Sequence, residues 1–153
     1  MRFDDITWML LSALQEDARL SYKELADRVG LTAPAVAGRL RKLEGAGVIE
    51  GYQVRLNADR LGLPITAVIR INAPGAGFDE TVRDIPEILE CHRVTGAESH
   101  VIRARVASTA HLEEVLIRLN EFGSTVTNIV TSSVVPRRGL ALPPAVPAAG
   151  HGR

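Results

Sequence analysis

Between Arg28 and Leu43 the chain carries four cations, Arg28, Arg39, Arg41 and Lys42, and no acid. A guanidinium or ammonium group meets phosphate, and a run of cations without acids is the electrostatic footprint of a nucleic-acid reader. At about 100° of rotation per helical residue, Val36, Leu40 and Leu43 form one apolar ridge. Ala35, Gly38, Arg39 and Lys42 fall on the neighbouring face, which is small at its start and basic further along. Such a face suits a helix that pushes its first turns into a major groove about 12 Å wide. Thr32, Ala33, Pro34, Ala35, Gly38, Arg39, Arg41 and Lys42 are therefore the candidate DNA-contacting residues. A helical hairpin that only packs has no need of this face.

A second set is the turn Thr95, Gly96, Ala97, Glu98, Ser99 and His100. It offers hydroxyls, one fixed anion and backbone amides open to close approach, which match the ammonium and carboxylate of a free amino acid. On the residues alone this ligand-binding reading and the bland one, a solvated hairpin turn, stand level. Cys91, His92, His100 and His111 could suggest a thiol–imidazole pair or a metal site. Adjacent strand residues point to opposite faces, and no CxxC or HxxxH spacing supports a metal. There is also no glycine-rich phosphate loop and no GxSxG elbow. No catalytic residue, metal or cofactor is expected.

Three helices must position the basic face. Asp4 or Asp5 can cap a first helix whose Ile6, Leu10 and Leu14 recur at helical spacing, ending near Glu16-Asp17. Trp8 reads as a packing residue. Ser21 with Glu24 is a capping box that starts a second helix at Tyr22, and Gly30 ends it in the left-handed conformation. Thr32 is the next N-cap and Pro34 fits the first turn, so a third helix is expected over Ala33–Ala46. This is a helix-turn-helix. The alternating run through Tyr52, Val54 and Leu56 reads as a linking strand.

Beyond Pro64 the elements alternate as strand (Ile65–Ile71), short helix stopped by Pro86, strands Ile88–Thr95 and His100–Ala107, an amphipathic helix through Leu112, Val115, Leu119 and Phe122 ended by Gly123, and a strand Thr125–Val135. That order is the split βαβ of ferredoxin-like folds, with both helices on one sheet face. The other, apolar, face calls for a second subunit, so a homodimer is expected. The fold class is α+β: an N-terminal three-helix (winged) helix-turn-helix domain at 1–50, a linking strand and turn at 51–63, a ferredoxin-like βαββαβ effector-binding and oligomerisation domain at 64–137, and a disordered tail at 138–153. The tail assignment follows from four of the eight prolines, no acid and no periodicity between Pro136 and Arg153.

With 153 residues, 46% of them hydrophobic and 24% charged, the chain can bury one sizeable core or two small ones. Its 18 basic and 18 acidic residues cancel, so the case for DNA rests on where charges stand. One cysteine cannot form an internal disulfide, Asp4 and Asp5 stand where a secretory signal needs a basic-then-apolar run, and no stretch approaches the roughly 18 apolar residues that span a bilayer. A cytoplasmic protein is expected, with no membrane partner.

The order of these elements, with RVGLTAPAVAGRLRKLEGAGVIEGY at Arg28–Tyr52 and ECHRVTG at Glu90–Gly96, resembles the Lrp/AsnC, or feast/famine, family of transcriptional regulators over residues 4 to 137. The resemblance implies double-stranded DNA as partner, pairing of βαββαβ modules, assembly of dimers into octamers, and a small effector, usually an amino acid, bound between modules near the loop after the VTG strand. The family commonly has an acidic residue after that glycine, then an aromatic and Asp-Tyr; this chain has Ala97-Glu98-Ser99-His100. Two alternatives share the architecture: an architectural DNA-binding protein that needs no effector, and tetrapyrrole decarboxylases, which rely on histidines in the second domain.

Overall fold

The computed structural model describes residues 3–72, 75–135 and 138–142. They form two compact units, one built from the chain up to Val54 together with the residues after Val134, the other from Arg55–Val134.

The first unit contains α1 (Asp5–Glu16), α2 (Tyr22–Val29) and α3 (Ala33–Gly45). Each start has a local cause. The Asp4 carboxylate accepts from Thr7 N at 2.9 Å and from the Thr7 hydroxyl at 2.6 Å. Ser21 and Glu24 close the capping box that the sequence predicts, and Gly30 at φ 66° ends α2 where an L side chain would be strained. Leu10, Leu25, Val36, Leu40 and Leu43 are each at most 2% exposed. They make the core, with Ala13 and Ala26 between them and Ile6, Leu14, Leu31 and Ile49 packed around. Trp8 is half-buried against Phe3, ring centroids 4.9 Å apart, in the packing role expected.

The linking strand expected at 51–56 is absent: residues 51–57 have no regular structure and expose Tyr52, Val54 and Leu56. A strand exists only as part of a ladder, and among the described residues this segment pairs with none. Of the tail expected to be disordered over 138–153, residues 143–153 lie outside the described residues. Leu140, in contrast, is held. Its N–H donates to Gln15 Oε1 at 2.6 Å and its carbonyl accepts from Gln15 Nε2 at 3.2 Å.

The second unit contains β1 (Ile65–Ile71), α4 (Phe78–Arg83), β2 (Ile88–Arg93), β3 (His100–Val106), α5 (Thr109–Asn120) and β4 (Thr125–Ile129). The four strands form one sheet in the order β2-β3-β1-β4, every neighbour antiparallel. Alternation sorts the residues. Ala67, Ile69, Ile71, Ile102, Ala104 and Val106 point to one face, where Phe78, Val82, Leu112, Val115 and Leu119 cover them. Gly123 follows α5 where a Cβ would lie 2.6 Å from the Asn72 carbonyl oxygen, so only glycine fits without a shift. β4 is shorter than the expected Thr125–Val135. Its neighbour β1 begins at Ile65, and after the Val130 N–H bond to Thr66 O at 2.9 Å there is no strand left to pair with.

One contact across the first unit is not foreseen by the sequence. Arg39 Nη1 on α3 donates to both Asp4 oxygens, at 2.9 and 2.7 Å, so the residue that caps α1 also ties it to α3. The Thr7 hydroxyl first, and then Arg39, hold the Asp4 carboxyl at about 2, below the ordinary carboxylate range. A depressed carboxyl contributes stability that is present above its unfolded pKa of about 4 and is lost as pH falls through the folded value. Asp4→Asn should therefore melt below the wild type at neutral pH, with the gap closing between about pH 4 and pH 2. Arg39→Ala should also lower the melting temperature, whereas loss of a free groove-facing arginine would leave it unchanged. Equal melting temperatures for Arg39→Ala and wild type across this range would remove the clamp.

Candidate nucleic-acid interface and effector turn

Packing decides which side of α3 faces outward. Val36, Leu40 and Leu43 turn into the core as the rotation arithmetic predicts, and Ala37, at 7% exposed, widens the buried stripe by one small residue that arithmetic had not assigned. Thr32, Pro34, Ala35, Arg41 and Lys42 are exposed, while Ala33, Gly38 and Arg39 are half-buried. The eight candidate DNA contacts thus lie on one helix and its N-cap, but they are not equivalent.

Thr32 occupies the N-cap position without using its side chain as a cap. A Cβ on Gly38 would meet nothing within 4 Å, so the surface there is low. Arg39 does not stand free as the sequence reading has it, being engaged by Asp4. Arg28 makes a loose 3.8 Å contact with Glu16. Arg41 and Lys42 have no ion pair among the described residues, and so remain the cations available to an external anion. Glu44, the first acid after the basic face, accepts from the Tyr52 hydroxyl at 2.9 Å; burial, and then this bond, push the phenol up to about 12.

In the second unit the candidate effector turn links β2 to β3 and is closed by Val94 N–H to Ser99 O at 2.9 Å. Its six candidate residues divide. Thr95, Gly96 and Ala97 are exposed, with Gly96 at φ 126°, a conformation that favours glycine. Glu98 is half-buried and lies 3.6 Å from the Arg70 guanidinium. Ser99 turns inward, its hydroxyl donating to Ile71 O at 3.3 Å and sharing a 2.7 Å bond with His100 Nδ1. His100, only 7% exposed, is the first residue of β3 and packs against the Phe78 ring at 4.8 Å. The turn therefore presents three residues and a partly engaged carboxylate, and Ser99 and His100 belong to the interior. Nothing in the turn's own sequence points to Arg70. It is found only through the register that sets Arg70 opposite Val101.

The remaining histidine and cysteine chemistry is dispersed. Cys91 stands opposite Ile102 on the helix-covered face and His92 opposite Val101 on the other, as strand alternation requires; burial raises the Cys91 thiol. His111 Nε2 pairs with Glu87 at 2.8 Å, and its Nδ1 accepts from Ala107 N–H at 3.3 Å. Among the described residues no group of three or more His, Cys, Asp or Glu could hold a metal ion. Nor is any of their helices long and apolar enough to cross a membrane.

Residues 3–50 match the winged helix-turn-helix DNA-binding family, and residues 66–140 the Lrp/AsnC ligand-binding domain. The transcriptional regulator LrpA of Mycobacterium tuberculosis is 38% identical over 136 residues, covering 86% of this chain and 88% of its own length. A feast or famine regulatory protein of M. tuberculosis, solved in complex with L-methionine, superposes with a TM-score of 0.85 at 32% identity over 91% of this chain and 99% of that one. A transcriptional regulator of Neisseria meningitidis, also solved with L-methionine, gives 0.85 at 26% identity, covering 92% and 97%. With its helix-turn-helix and its four-stranded antiparallel sheet in the same order along the chain, this protein belongs to the Lrp/AsnC family of DNA-binding transcriptional regulators.

Proposed function

We propose that the exposed side of α3, made by Thr32, Ala33, Pro34, Ala35, Gly38, Arg41 and Lys42, enters the major groove, while Arg39 sets the helix's angle through Asp4. The observation that carries this reading is the pair of cations, Arg41 and Lys42, that have no ion pair among the described residues, beside the low surface at Gly38. Two subunits present two such helices to half-sites about one helical turn, or a multiple of it, apart. Pairing is supported by the uncovered sheet face, where Val68, Val101 and Val126 lie among Arg70, Arg103 and Asn128, and by the exposed Val54 and Leu56. Octameric assembly of such dimers is part of the same reading. The protein acts on double-stranded DNA in the cytoplasm and is not an enzyme; its relatives are named as regulators.

An amino acid is the proposed effector, bound at the Thr95–Ser99 turn with Glu98 meeting the ammonium and exposed amides of Gly96 and Ala97 meeting the carboxylate. The L-methionine complexes of two relatives support the ligand class. A second reading, DNA binding without an effector, draws support from the contact that Arg70 already makes with Glu98.

Three outcomes test these statements. Lys42→Ala should weaken binding to the protein's own promoter fragment and reduce the salt slope by about one unit, whereas Gly38→Ala should raise thermal stability by about 0.5–1 kcal/mol and still weaken DNA binding by filling the low surface. Unchanged affinity in both would move the reading face elsewhere. Light scattering should return a multiple of the 16.5 kDa chain at micromolar concentration, and a monomer would refute pairing. In a thermal-shift screen of the amino acids, one ligand at about 100 times its dissociation constant should add about 2.7 kcal/mol of stability to wild type and less to Glu98→Ala; equal shifts in both would displace the site from the turn.

A further inference from the structure

Gln15, near the end of α1, holds a single residue with both ends of its carboxamide. Its Oε1 accepts from Leu140 N–H at 2.6 Å, and its Nε2 donates to Leu140 O at 3.2 Å. A carboxamide carries an acceptor and a donor side by side; a carboxylate or an ammonium in its place would make one of these bonds and lose the other. Gly139 lets the chain come this close. A Cβ there would lie 2.4 Å from Gln15 Oε1 and 2.9 Å from Gln15 Cδ. Gly139 is not among the glycines with positive φ, so an alanine at this position meets no backbone strain and only pushes the carboxamide away.

The clasp takes hold of chain that has just left the sheet. Val130 N–H, past the end of β4, still reaches Thr66 O at 2.9 Å, whereas the described residues after Val134 belong with the first unit. The chain thus leaves the first unit through the irregular residues 51–57 and returns to it at α1. Even fully extended, the stretch from Val130 to Leu140 spans at most about 36 Å. No buried apolar surface backs the clasp, since Gln15 is exposed and Leu140 is 81% exposed. Two bonds in water make a weak tie, one that opens and re-forms while the cores of both units stay intact. Asp4 and Arg39 pass the hold on α1 to α3.

We propose that the Gln15–Leu140 clasp is a releasable strap on the DNA-binding unit, one that narrows the orientations in which the two α3 helices of a paired protein reach their half-sites. Closed, it gives the unit two tethers, residues 51–57 and the stretch that ends at Leu140. Open, it leaves 51–57 alone. Two tethers permit fewer orientations than one, so closure raises the effective concentration of the second helix at a half-site of the right spacing and lowers it at a displaced one. Gln15 and Gly139 are then positioning residues that act through α1 and do not touch DNA. This role rests on the reading that two subunits present two α3 helices.

Gly139→Ala and Gln15→Ala open the strap without altering the exposed face of α3 or either core. In the full-length protein, hydrogen exchange at the Leu140 amide should run about tenfold faster in each variant than in wild type. On the protein's own promoter fragment both variants should bind about tenfold more weakly than wild type, yet bind a fragment cut down to one half-site equally well. They should also lose less affinity than wild type when about five base pairs, half a helical turn, are inserted between the half-sites. A general loss of stability would weaken binding to one half-site too, and that result would contradict the strap. Equal exchange at Leu140 in wild type and variants overturns the clasp itself. Faster exchange with unchanged promoter affinity and an unchanged insertion penalty overturns its role while leaving the pairing of helices intact. If wild type binds the whole fragment no more tightly than one half-site, the paired reading fails, and the role of the strap falls with it.

Discussion

The DNA-binding unit depends on three side chains, Val36, Leu40 and Leu43, buried against Leu10 and Leu25. A helix of 13 residues is marginal by itself in water. Burial of this ridge both stabilises α3 and fixes its rotation, because a turn of one residue, about 100°, would bring cations into the core. Once the ridge is in, the face bearing Ala35, Gly38 and Lys42 has to point away from the core. The Asp4–Arg39 pair adds a second constraint of a different kind, since a charge-assisted bond has direction whereas apolar contact has little. One carboxylate thereby caps α1, accepts the Thr7 hydroxyl and holds α3.

In the second unit the organising constraint is strand alternation. It sends Ile69 and Ile102 to the helices and leaves Arg70, Arg103 and Val101 on the opposite face. That face is less apolar than the sequence suggests. Valines alternate with arginines across the strands, and the Glu90–Arg103 pair spans β2 and β3. The same alternation bears on the turn between β2 and β3. His100 already follows the inward rhythm of β3, and Ser99 ahead of it is tied down by its bonds to Ile71 O and His100, so only the residues before them are presented to solvent.

Local chemistry was the legible part of the sequence. The Ser21–Glu24 box, the left-handed Gly30 and the spacing of Leu25, Val36, Leu40 and Leu43 each involve residues a few positions apart, and the helices they predict agree with the structure to within a residue or two. Contacts between distant residues were not legible. Arg39 looked like a free cation because its partner lies 35 positions away on another helix. Glu98 looked like a free anion because Arg70 reaches it only through sheet register. Alternation at 51–56 predicts a strand, but a strand also requires a partner, and alternation says nothing about one. Adjacency in sequence groups His100 with the turn, whereas β3 begins at that residue and carries it inside.

The central claim is that the exposed face of α3 enters the major groove. Directed DNA cleavage tests it most directly: an iron chelate attached at Ala35→Cys in a Cys91→Ser background, with Glu114→Cys on α5 as the control position. The account predicts strand cuts within the promoter fragment from the Ala35 position, in two clusters about one helical turn or a multiple of it apart, and none from the control. Cuts of equal pattern from both positions, or none from Ala35→Cys in a protein that still binds the fragment, would contradict it.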